Sequence, residues 1–301
     1  MKKKVLILGS NGLLGQSLVN RFSESYQVFK ASVEHEDYIP ASGYSYRSTD
    51  IVNRSKVIRF LDQIRPDIII NAAAYTNVDK CELEEEVCWN ANVKAVENII
   101  EGAERFQPLI VQISTDYVFD GEMGGYREID DPNPRGIYAR SKYAAENMIR
   151  ACDLEYLIIR TQVLYGTGNK VRNNFVSWVI GELRNGNQIQ VVGDQIGNPT
   201  YVDDVSEAIA RLLQMNEFGL FHVSGSEIIS RYNFAVKIAE QFGLDAQKID
   251  KIKTGDLNQK APRPMNSSFV LDKLVNRTGW EPGGVDAGLE KLKRKYNEQN
   301  G

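Results

Sequence analysis

Two residues of this chain, Tyr138 and Lys142, combine a type and a spacing that could do chemistry. They stand four residues apart at the start of a run, residues 138–151, whose pattern predicts a helix. That spacing presents both side chains on one helix face, one turn apart. A phenol beside a fixed ammonium can be a proton donor with a lowered pKa. The alternative is a surface tyrosine next to a surface lysine, and a motif of two residues does not exclude it.

A second candidate for chemistry is the hydroxyl pair Ser114 and Thr115. The apolar run 109–114 predicts a buried strand. Ser114 ends this run, and Thr115 follows it directly. The carboxyl end of a central parallel strand is where such sheets place their chemistry. Thr115 could therefore hydrogen-bond a substrate oxygen. The alternative is a capped strand end that contacts no ligand.

A glycine-rich turn near the start of the chain predicts a dinucleotide site. Strand 5–8 precedes it, and a helical pattern follows it to Phe22, which is the context that a dinucleotide fingerprint needs. Gly9 permits the tight turn, Gly12 lets the backbone approach a pyrophosphate at the helix N-terminus, and Gly15 lets the helix pack closely. The spacing is GxxGxxG rather than GxGxxG, so a simple turn that binds nothing is the alternative. The predicted cofactor contacts in this turn are Gly9, Ser10, Asn11, Gly12, Leu13, Leu14 and Gly15.

The end of the second predicted strand, residues 26–31, bears on which cofactor binds. NAD-binding folds usually place an acid there for the ribose 2′-hydroxyl, whereas this chain has Lys30 and Ser32. A cation and a hydroxyl would accommodate a 2′-phosphate, which favours NADPH. NADH stays possible because Glu34 or Glu36 could still reach the ribose. The alternative for Lys30 is a solvated surface charge.

Two further stretches are candidates for cofactor contact. Asp50 and Ile51 stand where such folds contact adenine. The predicted strand 67–71 runs into the small residues 72–74, which suit a cofactor lying across the sheet edge. Close packing of a helix on the strand is the alternative.

The alternation of strands and helices predicts an α/β fold, a doubly wound parallel Rossmann sheet. Beyond Leu164 the pattern loosens, which predicts a smaller mixed α/β substrate lobe. We expect a dinucleotide-binding domain over 1–165 and 200–222, and a substrate-binding lobe over 166–199 and 223–301. The remaining predicted strands are 156–161 and 220–223, and the remaining predicted helices are 55–64, 88–105, 175–183, 203–215, 230–242 (with Ser230 as N-cap), 271–278 and 285–296. His222 lies in an apolar run, which favours a buried histidine over a catalytic one.

Composition excludes several functional classes. The chain has 301 residues, and its net charge of −4 argues against a nucleic-acid binder. Three cysteines without metal-ligand spacing, and only two histidines, argue against a metal centre and favour a reducing compartment. No apolar run approaches a membrane span or a signal peptide. We therefore expect a cytoplasmic protein that binds no metal, nucleic acid or membrane.

These motifs together resemble the extended short-chain dehydrogenase/reductase family. Within it the chain is most similar to the dTDP-4-dehydrorhamnose reductase branch, which also contains the regulatory β subunit of methionine adenosyltransferase. The similar stretches run along nearly the whole chain: 71–76 with 78–80, STDYVFDG at 114–121, Tyr138 to Lys142 with Glu146, 160–161 with 164–166, 194–200, and 263–267. STDYVFDG and the Asp-Gln-x-Gly-x-Pro-Thr segment at 194–200 are fairly specific to this branch.

The resemblance implies NAD(P)H-dependent reduction of the 4-keto group of a nucleotide-activated deoxysugar, with a homodimer possible. Tyr138 would donate a proton to the ketone oxygen as a hydride arrives from the nicotinamide. Lys142 would hold the cofactor ribose and lower the pKa of Tyr138, while Thr115 would bond the substrate oxygen. By family position, Tyr138 also contacts the cofactor, as do Ala73, Ala74, Tyr75, Thr76 and Ile113. The further substrate contacts are Asp116, Gln162, Asn174 and Arg263.

Departures from the family pattern leave alternatives open. The reductases commonly carry Ser-Trp, with the tryptophan on the sugar, where this chain has Gln162 and Val163, so the sugar is undetermined. A non-catalytic NADP-binding regulatory subunit is one alternative. A 4,6-dehydratase or 4-epimerase with retained NAD is another, but dehydratases follow the threonine with Asp-Glu, and this chain has Asp116 and Tyr117.

Overall fold

A seven-stranded parallel sheet forms the centre of the protein, in a computed structural model that describes residues 2–39 and 45–300, the last two by backbone only. The strands are β1 (Lys4–Leu8), β2 (Gln27–Ser32), β3 (Ser45–Ser48), β4 (Ile68–Asn71), β5 (Leu109–Thr115), β6 (Tyr156–Thr161), β7 (Leu164–Tyr165), β8 (Ile189–Val192), β9 (Ile196–Gly197), β10 (Thr200–Tyr201), β11 (Gly219–His222), β12 (Ile229–Ser230) and β13 (Ile249–Ile252). The order in the large sheet is β11-β6-β5-β4-β1-β2-β3. This order confirms the predicted doubly wound Rossmann sheet.

Helices cover both faces of this sheet. They are α1 (Leu13–Phe22), α2 (Arg54–Ile64), α3 (Val78–Leu83), α4 (Glu85–Trp89), α5 (Ala95–Ala103), α6 (Ile137–Ala151), α7 (Phe175–Arg184), α8 (Val202–Gln214), α9 (Arg231–Phe242), α10 (Asp272–Thr278) and α11 (Val285–Asn300). Apolar residues of α1 and α8 are buried on one face, and those of α2, α5 and α6 on the other. The near-continuous apolar strands follow from this double cover.

The smaller lobe has its own apolar core. Residues of α7, α9 and α11 pack there with the parallel pair β8–β13. As predicted, Ser230 caps α9, because its Oγ accepts a hydrogen bond from the backbone N–H of Asn233 at 3.1 Å. Helix α10 falls in the segment assigned to this lobe, yet its Leu274 is buried in the core of the sheet domain. The domain boundaries themselves stay a prediction.

The structure differs from the prediction in one predicted helix and in several strands and a helix that were not predicted, of which β3 is one. The predicted helix 88–105 is not continuous, because a π-helical turn, Asn90–Lys94, separates α4 from α5. This turn carries Asn92, whose amide bonds the backbone of Tyr75 at 2.8 and 3.1 Å and the Ser141 Oγ at 3.0 Å. Strand β3 escaped prediction because Ser45–Ser48 is a largely exposed edge strand without an apolar run. No helix among residues 2–39 and 45–300 is long and apolar enough to cross a membrane.

Candidate active site

The glycine-rich turn joins β1 to α1 at the carboxyl edge of the sheet. Gly9 has a φ of +76°, and a Cβ there would lie 2.7 Å from the Ala73 backbone nitrogen. A Cβ on Gly15 would lie 2.1 Å from the Gly9 carbonyl oxygen. Both positions therefore require glycine. At Gly12 a Cβ would meet only the Gly9 oxygen, at 3.3 Å, so the need for glycine there is not set by the protein's own packing.

This turn has the features of a phosphate cradle. Gly12 is the N-cap of α1 and provides no side-chain cap, so the first-turn N–H groups are available to an anion. The Ser10 Oγ is buried and has no hydrogen-bond partner among the described residues. A buried hydroxyl without a partner is unfavourable unless a ligand or water satisfies it. The residues therefore fit the diphosphate of a dinucleotide.

The end of β2 is organised around Asn11. The Asn11 backbone N–H donates to the Ser32 Oγ at 3.2 Å, and its side-chain amide donates to the Glu36 carbonyl at 2.8 Å. Its side-chain oxygen accepts from the Tyr38 N–H at 3.1 Å. The loop after β2 is thus wrapped around Asn11, and Ser32 lies beside the glycine turn. That Ser32 contacts a 2′-phosphate stays a prediction.

In the structure, Lys30 is neither a solvated surface charge nor a cation that faces a 2′-phosphate, the two alternatives that the sequence left open. Its side chain is fully buried, so it is not a solvated surface charge. The ammonium donates to the Asp37 carboxylate at 2.5 Å and also to the carbonyl of Ile39. The loop after β2 folds back over the strand to make these bonds, which no strand pattern reveals. In this structure the charge is committed to Asp37 rather than presented to a 2′-phosphate.

Helix α6 carries the proton-donor candidate, as predicted. Tyr138 is 9% exposed and Lys142 4% exposed, so the pair does not lie on the surface. Burial raises the pKa of the Tyr138 phenol, while a hydrogen bond with Thr115 acts in the lowering direction. The expected lowered pKa is therefore wrong for the protein alone, because desolvation dominates. Tyr138 is protonated at neutral pH, which is the state that a proton donor needs.

Lys142 interacts with the backbone of β5 and with the carboxylate of Glu146. Its ammonium donates to the carbonyl of Ile113 on β5 at 2.6 Å. Burial lowers its pKa to about 8, and the carboxylate of Glu146 opposes this lowering. Glu146 is itself fully buried and accepts two bonds from the Arg160 guanidinium, at 2.9 and 2.7 Å, and one from Arg150 at 2.9 Å. An ion network thus continues inward from the catalytic candidate.

Asp116 lies next to Thr115 and is 4% exposed. Its Oδ1 accepts from the Thr115 Oγ at 3.0 Å, and its Oδ2 accepts from the Ser267 Oγ at 2.5 Å. Burial raises the pKa of Asp116 to about 6, although these two bonds and the nearby Arg231 act in the lowering direction. Both carboxylate oxygens are occupied within the protein, and the predicted substrate contact of Asp116 stays a prediction.

Each of the other three predicted substrate contacts has a partner within the protein. Gln162 is buried, and its amide bonds the Asn198 N–H at 2.9 Å and the Ser267 carbonyl at 3.2 Å. Arg263 pairs with Asp79 at 2.7 Å. Asn174 forms the capping box of α7 with Ser177 and donates to the Gly166 carbonyl at 2.9 Å. These residues join segments, and whether they also touch substrate stays a prediction.

The remaining predicted cofactor contacts lie in the loops after β3 and β4, except Ile113, which lies on β5. Ala73 packs against Gly9, and the Tyr75 backbone is fixed by Asn92. The Tyr75 hydroxyl bonds Glu84, which raises the pKa of Tyr75 to about 12. Asp50 accepts from the Val52 N–H at 3.0 Å, and the carbonyl of Ile51 accepts from Asn98 at 3.0 Å. The last two interactions shape the loop after β3.

His222 is buried, as predicted. Its Nδ1 lies 3.2 Å from the Tyr126 carbonyl oxygen, and burial lowers the pKa of the ring well below its ordinary value. The imidazole stacks on Phe269 with 4.0 Å between ring centroids. This histidine packs on β11 and takes no part in the candidate site. No three His, Cys, Asp or Glu within the described ranges are grouped so as to hold a metal ion.

Sequence reasoning missed two residues at this site, Arg231 and Ser267. Arg231 begins α9, and its charge acts on Asp116 and Tyr117 while burial lowers its own pKa. Ser267 reaches Asp116 from a loop that is distant in the chain. The predicted N-cap at Ser230 located the start of α9, but no local signal shows that this start faces the end of β5.

Comparison with known proteins identifies the family that this chain matches. Residues 2–297 match the family model described as the RmlD substrate binding domain. The dTDP-4-dehydrorhamnose reductase of Aggregatibacter actinomycetemcomitans is 32% identical over 98% of this chain and 99% of that protein. The Xenopus tropicalis methionine adenosyltransferase 2 subunit beta is 28% identical over 90% of this chain and 81% of that protein.

A solved structure agrees along nearly the full length. The crystal structure of the dTDP-4-dehydrorhamnose reductase of Bacillus anthracis in complex with NADP has a TM-score of 0.89 and 33% identity. The match covers 98% of this chain and 100% of that chain. Since the family model spans almost every residue and the glycine turn, Thr115, Tyr138 and Lys142 meet at one sheet edge, the chain belongs to the RmlD substrate binding domain family.

Proposed function

We propose that the protein reduces the 4-keto group of a nucleotide-activated deoxysugar, using NADPH and with Tyr138 as the proton donor. One observation carries the proposal. A buried, protonated tyrosine lies at the carboxyl edge of the sheet, one helical turn from Lys142, and the Thr115 hydroxyl acts to lower its pKa. The two relatives named dTDP-4-dehydrorhamnose reductase support the same reaction.

NADPH is the proposed cofactor, and when bound it supplies the reducing equivalent. The uncapped start of α1 and the buried Ser10 hydroxyl support a diphosphate site. The end of β2 offers Ser32 and the backbone of Asn11, and no carboxylate at position 32 repels a 2′-phosphate. The bound NADP of the Bacillus anthracis relative supports this choice, and NADH remains the second candidate.

The chain's own residues supply the proton and its electrostatic compensation. Tyr138 donates its proton to the oxygen that becomes the alcohol, and a phenolate is left behind. Because burial raises the pKa of Tyr138, that phenolate needs a nearby positive charge. The Lys142 ammonium provides it at pH values below about 8. Thr115 fixes the substrate oxygen next to the phenol, so that the proton transfer is short.

We also propose a homodimer that works in the cytoplasm. The exposed side chains of Leu83, Val87 and Trp89 on α3 and α4 form an apolar surface that supports self-association. Three unpaired cysteines support a reducing compartment. Light scattering after size exclusion, with Val87→Asp as the disrupting variant, tests the dimer.

The test of the reaction is NADPH consumption with dTDP-4-keto-6-deoxysugars and their counterparts on other nucleotides. Tyr138→Phe should lower kcat by roughly a hundredfold or more, because general acid catalysis contributes at least that much. Measuring its affinity for NADPH separately distinguishes a loss of proton donation from a loss of the cofactor contact that is also predicted for Tyr138. Tyr143→Phe, on the same helix, is the matched control and should keep wild-type turnover. Equal turnover by Tyr138→Phe and wild type would remove the role proposed for Tyr138.

A regulatory subunit is the second candidate function. The Xenopus relative named as a subunit of methionine adenosyltransferase supports it, as does the apolar surface of α3 and α4. Tight NADPH binding without turnover on any nucleotide sugar, together with a stable complex in pulldown, would favour this role over the reductase.

A further inference from the structure

Thr115 has one hydroxyl hydrogen and more than one neighbour that could take it. Its Oγ lies 3.0 Å from the Asp116 Oδ1 and accepts from the Tyr117 N–H at 3.3 Å, and the hydroxyl acts to lower the pKa of the nearby Tyr138 phenol. An ionised carboxylate only accepts hydrogen bonds. While Asp116 is ionised, the single hydrogen of Thr115 must therefore point at Asp116. It is then not available to a substrate oxygen.

When Asp116 is protonated, donor and acceptor exchange roles in the hydrogen bond between Asp116 and Thr115. The carboxylic acid would donate from Oδ1 to the Thr115 Oγ, and the Thr115 hydrogen would be released. The other oxygen, Oδ2, keeps its bond from Ser267 in either state, because a hydroxyl can donate to both forms. The 3.0 Å contact is thus compatible with both directions, and the proton on Asp116 decides between them.

The surroundings of Asp116 set when it carries that proton. The groups that face it are Thr115 on β5, Ser267 in the loop before α10, Arg231 at the start of α9, and the phenols of Tyr117 and Tyr138. Of these only Arg231 is charged at neutral pH, and it favours the ionised acid. Burial acts in the opposite direction and is the larger effect.

We propose that protonation of Asp116 sets the direction of the Thr115 hydroxyl, so that Thr115 donates to the substrate ketone oxygen only when Asp116 is protonated. The inference rests on the proposed reductase function. Asp116 is a positioning residue here, since it acts through Thr115. Its proton stays on the Asp116–Thr115 pair, and the proton that is consumed still comes from Tyr138.

The first test is the pH profile of kcat/KM for the ketone between about pH 5 and about pH 7.5, below the titration of Lys142. The kcat/KM of the wild type should fall by at least about tenfold as pH rises over this range, because the loss of one donor to a developing oxyanion lowers rates by that much or more. Asp116→Asn should give a flat profile near the acidic plateau, since its amide donates to Thr115 at every pH. Asp116→Ala also frees the Thr115 hydrogen but gives it no donor to orient it, so its kcat/KM should not change over this pH range either and should not exceed that of Asp116→Asn. An Asp116→Asn profile that keeps the wild-type decline, or a flat wild-type profile, would overturn the proposal.

Ser267 provides a variant outside the catalytic residues. Ser267→Ala removes a hydrogen bond that stabilises the ionised acid, so the midpoint of the profile should rise by about one pH unit. Ser268→Ala is the matched control, because its hydroxyl bonds Asn266 at 2.7 Å rather than Asp116. An unmoved midpoint in Ser267→Ala, or equal shifts in both variants, would contradict the proposal.

A readout without turnover separates this inference from the proposed function. Carbon-13 NMR of labelled aspartate carboxyls, with Asp116→Asn to assign the signal, follows the pKa of Asp116 directly. Thr115→Val should raise this pKa, because Thr115 donates to the ionised form. A wild type that turns over no nucleotide 4-keto sugar would end the reductase proposal. The NMR titration would still decide the switch, and an unchanged pKa in Thr115→Val would refute it.

Discussion

Glu146→Gln tests the buried ion network next to the catalytic residues. The Glu146 side chain is fully buried, and Arg160, which bonds both of its oxygens, is 1% exposed. Removing one partner of such a pair leaves an uncompensated charge in the interior, which costs about 3–5 kcal/mol. Glutamine keeps the shape of the side chain and one acceptor oxygen. We therefore expect the free energy of unfolding to fall by about 3 kcal/mol, the lower end of this range. That corresponds to a fall of roughly 6–12 °C in the melting temperature.

The same variant should change the pH dependence of the reaction. The Glu146 carboxylate holds the pKa of Lys142 up against burial, which lowers it to about 8. Without that charge the pKa falls further, and Lys142 loses its proton closer to neutrality. The alkaline decline of kcat should therefore begin at lower pH in Glu146→Gln than in the wild type. A merely structural role would lower stability without moving this decline.

Thermal unfolding followed by circular dichroism, together with a kcat profile, measures both effects. The matched control is Glu290→Gln on α11, which breaks an exposed pair with Arg294, 57% and 71% exposed. Exposed pairs contribute little, so no measurable change is expected there. A Glu146→Gln protein with the same melting temperature as the wild type would refute the view that this network stabilises the fold.

Three further outcomes follow from the site. The folded pKa of Lys142, about 8, lies below its ordinary 10.5, so the unfolded chain binds more protons between these values and stability rises with pH. Lys142→Met should therefore gain up to roughly 3 kcal/mol at pH 7 and nothing above about pH 10.5, as thermal melts at both pH values would show. Ser32→Asp should weaken NADP binding by about tenfold or more relative to NAD in calorimetric titration, because the added carboxylate repels a 2′-phosphate beside Asn11. Gly15→Ala should lose about 1–3 kcal/mol of stability and weaken dinucleotide binding, because its Cβ would overlap the Gly9 carbonyl. Wild-type values in any of these measurements would contradict the corresponding contact.

Local patterns predicted the part of the site that is built from local structure. The glycine turn and the spacing of Tyr138 and Lys142 each depend on one strand–helix connection or one helical turn. The Rossmann sheet then followed from the regular alternation of apolar strands and helices, and the structure confirms it. The strand that ends at Thr115 brings these pieces together, because the carboxyl ends of parallel strands share one edge.

What sequence reasoning did not reach depends on partners that are distant in the chain. Lys30 reads as a free cation until the loop after β2 folds back and brings Asp37 to it. Arg263 is predicted to contact substrate by family position, and no local pattern shows that Asp79 pairs with it. Likewise the pKa of Tyr138 is governed by how deeply the phenol is buried, which residue spacing does not encode.

The contacts between the lobe and the sheet domain bear on how the site is assembled. Ser267 bonds Asp116, Arg263 pairs with Asp79, and Asn198 bonds Gln162. In each case a residue of the predicted lobe meets a residue of the predicted dinucleotide-binding domain that directly follows a strand or begins a helix. Asp116, the acid proposed to orient Thr115, is thus contacted by Ser267 of the predicted lobe, which contributes to its burial. Since burial is what raises the pKa of Asp116, docking of the lobe and readiness of the proton-donor site are physically coupled. A substitution at Arg263 or Asn198 that lets water reach Asp116 should therefore lower the pKa of Asp116 and with it the activity at neutral pH, which is the opposite of the shift expected for Ser267→Ala.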